Sequence, residues 1–93
     1  MTSSIHVEWT DYMKYRAKKR GFDLDKLEYI MRHSAERYFD LTTARSIVIG
    51  RHDKILVLIP YEVEEDTHTP VTVHTTTRQQ IKFRLNTGRF IYG

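Results

Sequence analysis

The chain is expected to fold as an α+β domain with two helices first, an antiparallel meander of about four strands next, and a helix last. Three observations predict this. Apolar side chains recur at helical spacing up to about residue 34, the period changes to 2 from about residue 36, and residues 77–86 return to a helical pattern. Runs of helices and strands, rather than their alternation, gather the helices on one side of a sheet and leave the opposite face open. The 93 residues suffice for one domain, 1–93, with one core.

Residues 5–9 make a brief first strand. Over residues 10–20, Trp9, Tyr12, Met13 and Ala17 recur at helical spacing, while Lys14, Arg16, Lys18, Lys19 and Arg20 fill the other faces. Gly21 closes this helix as a left-handed cap. Asp23 offers an N-cap oxygen to a second helix, striped by Leu24, Leu27, Ile30 and Met31 and ending near His33 and Ser34.

Strands are expected at residues 36–40, 44–50, 54–63 and 70–76. The run "KILVLIPYEV" is apolar on both faces in its first half, as a strand covered on both sides is. Pro60 has no N–H for a ladder, so the strand must bend or lose a partner there. Residues 62–70 read as an acidic hairpin loop. In the last helix Thr77 and Gln80 form a capping box, and Gly88 is the stop.

Composition excludes several chemistries. With no cysteine there is no disulfide, thiolate site or thiol nucleophile, which fits a reducing cytoplasm. Neither a secretory leader nor an apolar run of the roughly 20 residues that span a membrane occurs, so a cytoplasmic chain without a membrane partner is expected. The five histidines show no metal-ligand spacing, the four glycines stand alone and build no phosphate loop, and no serine sits in a nucleophile elbow. No metal and no cofactor are expected.

What remains is cationic side chains mixed with proton carriers. One strand ends in "GRHDK", residues 50–54, and another runs into "HTTTR", residues 74–78. Phosphodiester cleavage by a ribose 2′-hydroxyl needs this mixture, because arginine and lysine stabilise the pentacovalent phosphorus while histidine or tyrosine moves protons. If Val71 and Val73 face the helices, Thr72, His74 and Thr76 face the open side. Arg78 lies at a helix N-terminus, where a cation opposes the dipole. Along its helix Arg78, Lys82, Asn86 and Arg89 recur at about one turn and make a basic face, and the basic run from Lys14 through Lys18 and Lys19 to Arg20 is a second surface for RNA backbone or an acidic partner.

The order of Glu8-Trp9, Lys14, "KRGF" at 19–22, "SIVIGR" at 46–51, "ILVLIPYE" at 55–62 and "VTVHTTTRQQIKFRL" at 71–85 resembles the BrnT-type branch of the RelE/ParE toxin superfamily over most of the chain. The resemblance implies a compact RelE-like endoribonuclease, the toxin of a toxin–antitoxin pair, acting on RNA without metal and neutralised by an antitoxin protein. By position, Arg51 fits the family's strand-end arginine, Arg78 the arginine after the last strand, and Tyr92 a C-terminal tyrosine. Together with His74 and Lys54 they form the expected catalytic set, and Lys14, Lys18, Lys19, Lys82 and Arg89 the expected RNA-binding set.

Two positions depart from the family. Tyr12 stands where relatives often carry a histidine, four residues before the arginine matching Arg16, and Phe22 replaces a smaller aliphatic side chain. These departures bear on activity more than on fold, and they motivate a second reading. In it the chain is a non-catalytic RNA- or protein-binding module, with the open sheet face or an edge strand forming a homodimer. A small-molecule enzyme is the weakest reading, because the acidic residues have the spacing of a turn rather than of an acid–base pair.

Overall fold

The computed structural model describes residues 5–93. Ser3 and Ser4, set aside above as nucleophiles, lie outside them. Three helices, α1 (Asp11–Lys19), α2 (Leu24–His33) and α3 (Arg78–Asn86), flank seven strands: β1 (His6–Val7), β2 (Arg37–Asp40), β3 (Arg45–His52), β4 (Ile55–Glu64), β5 (Thr67–Pro70), β6 (His74–Thr75) and β7 (Phe90–Tyr92). They form one mixed sheet in the order β1-β5-β4-β3-β2-β7, with β6 paired to β4 beyond the end of β5. Among the described residues only the β1–β5 pairing is parallel.

Local chemistry sets the helix ends. The Thr10 hydroxyl accepts from the Met13 N–H at 3.1 Å, Asp23 Oδ1 accepts from the Asp25 and Lys26 N–H groups at 2.8 and 3.3 Å, and Gly21 adopts φ +80° between the two helices. Thr77 caps α3 by accepting from the Gln80 N–H at 3.1 Å. The reciprocal half of the expected capping box is not made, because the Gln80 side chain accepts instead from the Thr76 hydroxyl at 3.1 Å.

The helices are not gathered on one side. Met13 and Ala17 of α1 and Leu27, Ile30 and Met31 of α2 pack on Val48, Val57, Ile59, Tyr61 and Val73. Ile81 of α3 packs on Ile47, Ile49, Leu56 and Leu58 across the other face, with Tyr38 and Phe90. Residues 56–59 are buried on both faces, and that second apolar face must be covered, so α3 closes the side expected to be open. On the α2 side, a Cβ at Gly50 would lie 2.5 Å from Ile30 Cγ2, so the missing side chain is what lets the helix approach.

The strand count also exceeds the expected four. The expected acidic loop shrinks to a turn at Glu65 and Asp66, with Glu65 at φ +56°, and residues 67–70 belong to β5. The expected strand 70–76 is broken: Tyr61 pairs Pro70 but Leu58 pairs His74, three residues against four, so the outer chain carries a one-residue bulge. The break falls beside Pro60, which keeps its partner Ile47 in β3 and meets the bulged chain through the Val71 N–H donating to its carbonyl at 2.8 Å. The unforeseen β7 pairs with β2 because Gly88, at φ +79°, turns the chain back after α3.

Candidate functional site

The bulge gives His74 its surroundings. It returns Val73 to the core beside α1 and α2 and leaves His74 exposed on a two-residue strand at an edge of the sheet, register-paired with Leu58 of the α3 face. Arg20, just past α1, donates from Nη1 to the Val73 carbonyl at 2.6 Å and reaches the Thr72 hydroxyl at 3.4 Å. Its guanidinium is thus anchored next to the imidazole. Arg20, Phe22, Val73, His74 and Thr75 line a cavity of about 340 Å³.

Partial burial and the charges of Arg20, Arg16 and Arg84 hold the His74 imidazole below its usual 6.5, so it is neutral at pH 7. Arg16 and Arg20 come from the α1 side of the sheet, and Arg84 from α3, where its guanidinium lies 5.5 Å from the centre of the Phe90 ring. Arg16 keeps an Nε that is enclosed and has no acceptor among the described residues. Arg20 beside a neutral base, in a field to which the charges of Arg16 and Arg84 add, forms a cradle for an anion.

The expected catalytic residues do not all meet there. Tyr92 lies on β7, four strand spacings of ~4.8 Å or about 19 Å from β6, so it cannot share a phosphate with His74. Arg51, register-paired with Leu56, lies on the α3 face two strands from β6, and its Nη1 is 3.4 Å from the carbonyl of Lys54 in the β3–β4 turn. Arg78 is engaged elsewhere. Its Nη1 meets Glu36 Oε2 at 2.5 Å, an ion pair that offsets its unfavourable place at the start of α3 and holds the guanidinium above its usual value.

Glu36 was not foreseen and has a second partner. Burial pushes its carboxyl up, but hydrogen bonds from Arg78 and from the Tyr38 hydroxyl, the latter at 2.7 Å, bring it below the usual value. Burial and the same Glu36 bond push Tyr38 up to about 12. The Tyr92 ring packs tilted against Tyr38, 5.6 Å between centres, so Arg78 and Tyr92 belong to this neutralised cluster and not to the His74 cradle.

Among the expected RNA-binding residues, Arg89 has a structural partner, the buried carboxylate of Asp40, held by two bonds of 3.0 Å. Lys82 is exposed on α3. Lys14 and Lys18 border a groove of about 430 Å³ with Tyr15, Phe22 and Leu24, and Lys19 Nζ lies 5.7 Å from the centre of the Tyr15 ring. The sequence sets Arg20 in a basic run, and Arg16 in that run and at a position the family resemblance matches to an arginine. Their spacing beside the buried Met13 and Ala17 was the signal that they border the sheet, whereas nothing in the sequence marked Arg84.

Among the described residues, no group of three or more His, Cys, Asp or Glu side chains gathers as a metal site, and no helix is long and apolar enough to cross a membrane. No protein-family model, curated protein or solved structure matches the chain.

Proposed function

We propose that the chain is a RelE/BrnT-like endoribonuclease, the toxin of a toxin–antitoxin pair, that cleaves RNA without a metal cofactor through attack of a 2′-hydroxyl on the neighbouring phosphorus. One observation carries this reading: His74 and the anchored guanidinium of Arg20 line one cavity at an open strand edge, where the charges of Arg16 and Arg84 also act on the imidazole. A bound phosphodiester sets its non-bridging oxygens against the guanidiniums. His74 accepts the 2′-hydroxyl proton as the O2′–P bond forms, and the arginines stabilise the dianionic phosphorane. The P–O5′ bond then breaks, and O5′ takes a proton from the imidazolium, giving a 2′,3′-cyclic phosphate and a 5′-hydroxyl.

The second reading, a non-catalytic RNA- or protein-binding module, is favoured by the pairing of Arg78 with Glu36 and by Tyr12 in place of a histidine. One assay separates the two. End-labelled single-stranded RNA is incubated with the purified chain in EDTA, beside an RNA with a single 2′-deoxy substitution at the mapped cleavage site. The nuclease reading expects cleavage that the substitution blocks and that His74→Gln reduces at least 100-fold while RNA binding persists. Binding without cleavage selects the module in its RNA-binding form; the absence of both refutes the nuclease and the RNA-binding module and leaves the protein-binding form.

A further inference from the structure

The exposed aromatic face of α1 borders the His74 cradle, and the cleavage reading does not use it. Tyr12, Tyr15, Arg16, Lys19 and Arg20 follow one another at i, i+3, i+4, i+7 and i+8, so they share one side of the helix and its C-terminal continuation, and together they line a groove of about 430 Å³. Tyr12 and Tyr15 are each 61 % exposed, although two large rings on one surface would ordinarily be buried or separated. Each ring has a cation close by: the Arg16 guanidinium lies 5.6 Å from the centre of Tyr12 and also donates to its hydroxyl, and Lys19 Nζ lies 5.7 Å from the centre of Tyr15.

This strip leads from the imidazole outward. Arg20 lines both this groove and the cavity at His74, and its charge and that of Arg16 act on the imidazole. Alternating rings and cations match a polymer of flat bases joined by phosphates, because a base gains by stacking on an aromatic face while the intervening phosphate gains by meeting a cation. A duplex cannot use these rings, since its bases are stacked on one another inside the helix.

We infer that Tyr12 and Tyr15 form a base-stacking platform that makes single-stranded RNA the ligand and positions a nucleotide beside the phosphate held at His74. The inference rests on the proposed RNA reading and adds strand preference to it. Charge complementarity supports this occupant: α1 and Arg20 present five cations, Lys14, Arg16, Lys18, Lys19 and Arg20, against one acid, Asp11.

The test is fluorescence anisotropy with a labelled ten-nucleotide RNA, single-stranded or annealed to its complement, across a salt series. The wild type should bind the single strand more tightly. Tyr12→Leu/Tyr15→Leu, which keeps apolar bulk and helix propensity but removes both rings, should weaken single-strand binding by roughly 5- to 150-fold per ring, with duplex binding and the salt slope unchanged. Tyr12→Phe/Tyr15→Phe should retain the preference, and circular dichroism of both variants verifies the fold. Single-strand binding unaffected by the leucine pair, or weakened equally for duplex, overturns the platform while leaving the RNA reading intact. Absence of wild-type binding to either RNA overturns both.

Discussion

Replacing Arg89 with methionine should destabilise the fold markedly even though the residue lies on the surface. Its partner Asp40 is only 3 % exposed. The guanidinium holds both carboxylate oxygens at 3.0 Å, and the Thr42 N–H donates to the same carboxylate at 2.9 Å. Methionine keeps the apolar stem and removes the fork, leaving a buried charge with the Thr42 backbone donor and the Thr43 side chain. Breaking a buried pair costs about 3–5 kcal/mol, and because Arg89 is partly exposed and the Thr42 and Thr43 donors remain, the loss here should be about 2–3 kcal/mol. For a domain of this size that corresponds to a drop in Tm of roughly 10–20 °C.

Urea unfolding and thermal melts of both proteins measure that loss, and pH supplies an independent readout. Burial pushes the Asp40 carboxyl up, but Arg89, the Thr42 backbone and the Thr43 side chain bring it below its usual 3.8. A depressed folded value stabilises the fold above pH 3.8, and this contribution is lost as pH falls through the folded value. Without Arg89 the burial effect gains weight and the carboxyl protonates more readily. The variant's deficit should therefore be largest at neutral pH and shrink below about pH 4. A loss under about 1 kcal/mol, or a deficit independent of pH, would refute the assignment of Arg89 to Asp40.

Gly50→Ala should cost about 1–3 kcal/mol in urea unfolding, because its Cβ would lie 2.5 Å and 2.7 Å from two carbons of the buried Ile30; in an Ile30→Ala background the increment should largely vanish. Thr77→Ala should lower stability by about 1 kcal/mol through loss of the α3 cap, and an unchanged midpoint would count against it. Glu36→Gln should lower the Tyr38 titration from about 12 while burial keeps it above 10.0, measured by NMR of the ring at alkaline pH. If His74 is the base, the acid limb of the cleavage profile should lie below pH 6.5, and Arg84→Gln should move it upward by removing one of the depressing charges. An acid limb unmoved by Arg84→Gln would detach that arginine from the site.

The sequence by itself determined the features whose causes lie within a few residues. Thr10, Gly21, Asp23 and Thr77 set helix ends through hydrogen bonds or backbone conformations that neighbouring residues complete. The apolar run at 55–59 announced a central strand, and the alternation of Val73 and His74 gave their opposite facings. Tertiary structure decided which face α3 covers, because Ile81 could satisfy its apolar contact on either side and only the unfilled face at Ile47, Ile49, Leu56 and Leu58 selected one. It also decided which cations remain free for an anion. Arg78 and Arg89 look like Arg16, Arg20 and Arg84 in the sequence, but Glu36 and Asp40, 42 and 49 positions away, neutralise the first two. Charge pairing across the fold depends on distance in space, which the spacing of residues along the chain does not encode.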